Sequence, residues 1–85
     1  MAIPNNINHN HIVTVMNEIN RGRIIPARQR IRKYYCSHNE HQYPVKLLIS
    51  WGHEALTGQE LLSGRFITNE AVRYLRNLGF LIEAI

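Results

Sequence analysis

Apolar residues near the start of the chain recur at Ile12, Val15, Met16 and Ile19, the i, i+3, i+4, i+7 spacing of an amphipathic helix. Asn8 stands where that helix needs an N-cap. Ile7 and Ile12 bracket the cap as a hydrophobic staple, and Gly22 supplies a left-handed residue to end the helix. Pro26 forbids a continuation, because it lacks an N–H and restricts Ile25, so residues 21–29 read as a connector. The pattern then changes. In IRKYYCSHNEHQY, β-branched and aromatic residues flank a polar tip, Ser37 to Glu40, which predicts two short antiparallel strands. Tyr34 and Cys36 fall on one face of the first strand, and Lys33, Tyr35 and Ser37 on the other.

Pro44 suits a first helical position, and a second helix is expected from there to about Leu56, ahead of Gly58. Lys46, Ser50, His53 and Thr57 form one narrow wet stripe on it, and apolar residues cover the rest, as expected of a central core helix. Gly52 in its middle costs about 1 kcal/mol of helix propensity against Ala, which implies close approach of another element. After a loop or short turn in TGQELLSGRF, a third helix runs from about Asn69 to Leu78, capped by Gly79, with Phe80 placed to pack back on its last turn. FLIEAI reads as a closing strand that could join the hairpin. The predicted fold is α+β: three helices packed on a short antiparallel sheet in the order α-β-β-α-α-β. Residues 1–6 are expected to be a flexible arm and 7–85 a single domain.

Eighty-five residues give one core and no second domain. The formal net charge of +4 and a sequence pI near 9.7 favour an anionic partner, although net charge speaks to association and not to activity. Cys36 is the only cysteine, which excludes an intramolecular disulfide and fits a reducing, cytoplasmic setting. No apolar stretch is long enough for a membrane span, and the N-terminus has no signal-peptide pattern, so no membrane partner is expected.

Cys36, His38 and His41 spell C-x-H-x-x-H, a spacing that invites a zinc reading. A structural site wants four ligands, and only His9 or His11 could supply a remote one, so the motif is read as a polar hairpin tip and no metal is predicted. The six glutamates are scattered singly and no oxyanion-hole or phosphate-loop pattern accompanies the cysteine; neither catalysis nor a cofactor is expected. The strongest bias is basic. Arg21, Arg23, Arg28, Arg30, Arg32 and Lys33 cluster beside Tyr34, Tyr35 and Tyr43, placing phosphate-binding charge next to aromatic faces. A solvated connector with core tyrosines is the competing explanation.

Several words of the chain also resemble a known module. They are Ile25-Pro26-Ala27-Arg28, Arg32-Lys33-Tyr34, Tyr43-Pro44-Val45-Lys46 leading to Leu48-Ile49-Ser50, Thr57-Gly58, Phe66, and Tyr74 to Phe80. In this order they resemble the head domain that often stands at the N-terminus of McrA-like and HNH-type restriction endonucleases and related defence proteins. Val45 replaces the proline usual there, and the Gly-Gly pair common after the phenylalanine is absent from Phe66-Ile67-Thr68-Asn69. The resemblance implies a non-catalytic accessory module that contacts DNA in a restriction or defence system; the basic residues by themselves also allow RNA. The rival expectation is a protein-interaction module or interference protein docking on a nuclease. Candidate nucleic-acid-binding residues are Arg28, Arg32, Lys33, Tyr43, Lys46, Arg73 and Arg76. Lys46 poses a separate question: a cation in the first turn of a helix opposes the helix dipole. A phosphate could answer it, but an internal acceptor such as Glu40, Glu60 or a loop carbonyl is favoured.

Overall fold

A computed structural model describes residues 3–31 and 33–85; Met1, Ala2 and Arg32 lie outside the described residues. The chain forms helix α1 (His9–Asn20), strands β1 (Tyr34–His38) and β2 (His41–Pro44), helix α2 (Val45–Thr57), helix α3 (Thr68–Asn77) and strand β3 (Leu81–Ala84). Short 3-10 turns occupy Ala27–Gln29 and Ser63–Arg65. This is the expected α+β order. The last strand joins the hairpin on the far side of β1, giving an antiparallel sheet β2-β1-β3.

Local chemistry accounts for the helix ends. The Asn8 side chain accepts from the His11 N–H at 3.1 Å and His11 Nδ1 accepts from the Asn8 N–H at 3.0 Å, a capping box with histidine in the usual place of a glutamate. At the other end Gly22, at φ +108°, sends its N–H to the Ile19 carbonyl, while Arg23 sends its own to Glu18, the paired bonds of a Schellman motif. The same motif closes α3, where Gly79 bonds to Arg76 and the buried Phe80 to Leu75. The Tyr74 hydroxyl then ties α3 to Ile7, the residue before the N-cap of α1. It donates to the Ile7 carbonyl (2.8 Å) and accepts the Ile7 N–H (3.0 Å), and burial pushes its pKa upward.

Helix α2 is the centre of the core, with Leu47, Leu48 and Ile49 fully buried among Val15, Met16, Tyr43, Ala71 and Leu75. Gly52 faces α1 directly. A Cβ there would lie 2.8 Å from Ile12 Cδ1 and 3.1 Å from Ile7 Cγ2, so the close approach implied by a mid-helix glycine is that of α1 and its staple.

Three expectations change in detail. The hairpin tip is two residues, Asn39 and Glu40, because Ser37 and His38 are paired with Gln42 and His41. Pro44 is the last residue of β2 and the N-cap of α2, not its first helical residue, since it pairs with Tyr35 and holds an extended ψ of 129°. The polar stripe on α2 is wet only in part. The chain after Gly58 folds back over it: His53 Nδ1 donates to the Gln59 carbonyl (2.6 Å), Leu61 N–H donates to the Ser50 carbonyl (3.2 Å), and Ser50 is fully buried, its hydroxyl without a hydrogen-bond partner among the described residues. Ile3, ahead of α1, is buried in the core cluster.

Candidate nucleic-acid interface

The hairpin register builds the site. Tyr35 pairs with Pro44, and Lys33, just before β1, lines the same cleft as Lys46 in the first turn of α2. The connector before β1 brings Arg28 and Arg30 to the same place. These four cations line one cleft of about 250 Å³, with Ser63 and Thr68 also in its wall. Pro44 and Val45 line it too, so the start of α2 opens there, with no side-chain cap and no acidic residue in its first turn.

A second cleft, of about 360 Å³, lies along α3 between Tyr34 and the residues Asn69, Val72, Arg73, Arg76 and Asn77. Tyr34 is the wall common to both clefts. None of the six glutamates lines either one. Of the described arginines and lysines, only Arg23 is ion-paired with a described carboxylate. Its guanidinium bridges Glu18 (2.7 Å) and Glu54 (2.9 Å) and lies 3.6 Å from the Trp51 ring centroid, pinning the end of α1 to α2.

The structure therefore separates the residues singled out in the sequence. Arg28, Lys33 and Lys46 meet in the first cleft, and Arg73 and Arg76 in the second. Arg32 lies outside the described residues. Tyr43 does not belong with them: its ring is 2% exposed, its hydroxyl donates to Asn20 Oδ1 (2.9 Å), and a base cannot reach its face. Arg30 and Tyr34 line the clefts without having been singled out. Arg30 stood in the basic run, but nothing in the run's spacing distinguishes the arginines that turn toward Pro44.

Lys46 meets neither Glu40 nor Glu60. Its ammonium sits 5.0 Å from the centroid of the Phe66 ring, so its internal partner is an aromatic face, which leaves its charge uncompensated by any described carboxylate.

The C-x-H-x-x-H residues diverge. Cys36 is buried, and desolvation pushes its thiol up to about 12, away from the thiolate that metal binding or nucleophilic attack requires. His38 packs edge-on to Phe80, whose other neighbour is the stacked ring of His9 at 4.5 Å, while His41 is exposed beside Tyr43. Among the described residues no three His, Cys, Asp or Glu side chains are placed to share a metal ion. No described helix is long and apolar enough to cross a membrane.

The family model described as ScoMcrA-like, N-terminal head domain, matches residues 5–84. No curated protein and no solved structure matches the chain.

Proposed function

The chain belongs to the ScoMcrA-like N-terminal head-domain family, and from that premise we propose that it is a non-catalytic accessory module of a restriction or defence system that binds DNA through its two basic clefts. The observation that carries this reading is the convergence of Arg28, Arg30, Lys33 and Lys46 on one cleft that no carboxylate of the described residues lines. Unpaired cations in a concave site focus a positive field, and phosphate is the group they suit. The open start of α2 adds N–H donors of the same sign.

Binding measured against salt tests this. With about five phosphate contacts, from Arg28, Lys33, Lys46, Arg73 and Arg76, log affinity for duplex DNA should fall with log salt at a slope of about −4 to −5. A flat dependence, or no binding to DNA or RNA at about 50 mM salt, counts against the proposal.

A second reading rests on the free edge of β3. Leu81 and Ile85 are 60% and 75% exposed beside a sheet edge that no described strand pairs, a surface suited to protein docking on a nuclease or another defence component. Co-purification of a partner that survives nuclease treatment and high salt favours that reading over DNA binding.

A further inference from the structure

We infer that the two basic clefts form one track for unpaired DNA, with the Tyr34 ring as the platform on which a base stacks between them. This rests on the DNA-binding reading and goes beyond it by naming the strand state and the residue that senses it.

The four tyrosines divide by what holds them. Tyr43 is buried with its hydroxyl bonded to Asn20, and Tyr74 is locked by two hydrogen bonds to Ile7. Tyr35 lines neither cleft. Tyr34 is half-buried, packs against the core on one side, and its hydroxyl has no hydrogen-bond partner among the described residues. Among the described residues it is the one aromatic side chain that lines both clefts.

Charge surrounds it. The Lys33 ammonium lies over the Tyr34 ring, 5.8 Å from its centroid, where a stacking base would displace it toward a phosphate, and Arg73 and Arg76, one turn apart on α3, line the second cleft. Cation, aromatic face, cation is the arrangement that single-strand binding uses: phosphates track the charges and a base lies on the ring. A paired duplex keeps its base faces stacked on one another and cannot offer one to a ring in a cleft wall. The cleft volumes, about 250 and 360 Å³, are at or below the small end of ligand pockets, which suits successive sugar-phosphates better than a bulky cofactor.

The test is fluorescence anisotropy on the full chain with single-stranded and duplex DNA of one sequence, together with a single strand carrying 2-aminopurine. Wild type should bind the single strand more tightly and change the 2-aminopurine emission. Tyr34→Phe, which keeps the ring, should bind within about twofold of wild type. Tyr34→Leu should lose about five- to a hundredfold in single-strand affinity while keeping its salt slope, because the phosphate contacts remain. The wild-type emission change decides the matter should the leucine variant fold poorly. Equal binding of both DNA forms, no emission change, or wild-type affinity in a folded Tyr34→Leu overturns the inference and leaves the phosphate-binding proposal standing. No binding to either DNA form overturns both.

Discussion

At Gly52 two opposed effects act on a single atom. Alanine would gain about 1 kcal/mol of helix propensity. Its Cβ would also meet Ile12 Cδ1 at 2.8 Å and Ile7 Cγ2 at 3.1 Å, and overpacking a filled core costs about 1–3 kcal/mol. Gly52→Ala should therefore lose about 1 kcal/mol in urea unfolding. Ile12→Val deletes the clashing methyl, so the double variant should be more stable than the two single losses add up to, by about 1 kcal/mol. Cys36 carries a different signature. Its thiol rises from 9.0 to about 12 on folding, so the folded chain keeps a proton that the unfolded chain gives up. Stability from this group is whole below pH 9 and falls between about 9 and 12, at up to about 1.4 kcal/mol per pH unit. Cys36→Ala removes that term, so the stability gap between wild type and variant should narrow as pH rises through this window. Tyr74, also shifted upward, acts in both proteins and cancels from the difference.

Among elements, the hairpin has the most leverage on the site. Its two turn residues, Asn39 and Glu40, take φ of 49° and 67°, the left-handed pair that a type I′ turn requires. Glutamate is poorly suited there. Glu40→Gly should add about 0.5–1 kcal/mol and raise Tm by roughly 2–6 °C, read by thermal unfolding. The turn also sets which residues face one another: a two-residue tip pairs His38 with His41 and Tyr35 with Pro44, which fixes where β2 hands over to α2. The hairpin was legible from its β-branched and aromatic flanks. Its tip length was not, because Ser37 and His38 are polar on a strand that continues through them.

For the molecule as a whole, the division of its basic residues matters more than their number. Arg23 holds α1 to α2 through two glutamates and Trp51, whereas Arg28 lines the cleft without a carboxylate partner among the described residues. Arg23→Ala should cost about 1–2 kcal/mol of stability and leave the salt slope of DNA binding unchanged. Arg28→Ala should change stability by less than about 0.5 kcal/mol and reduce the slope by about one. Parallel unfolding and binding titrations on both variants check this division. Similar effects in both assays for both residues would mean that the clefts are not where phosphates bind.

Much of the fold follows from neighbours in the chain. The caps at Asn8, Gly22, Gly58 and Gly79 and the α1 stripe each depend on residues within a turn or two of one another, and those relations are written in the sequence. The basic, aromatic-rich bias of residues 21–35 was visible there too. What tertiary structure alone decided is which of those residues do structural work. Arg23 found Glu54, thirty-one positions away, Tyr43 turned inward to Asn20, and Lys46 settled over Phe66. Those partners are chosen by how α1, α2 and the hairpin pack. Spacing along the chain fixes which face a residue occupies, but not what stands opposite that face, and it was the packing that left Arg28, Lys33, Tyr34, Arg73 and Arg76 lining open clefts.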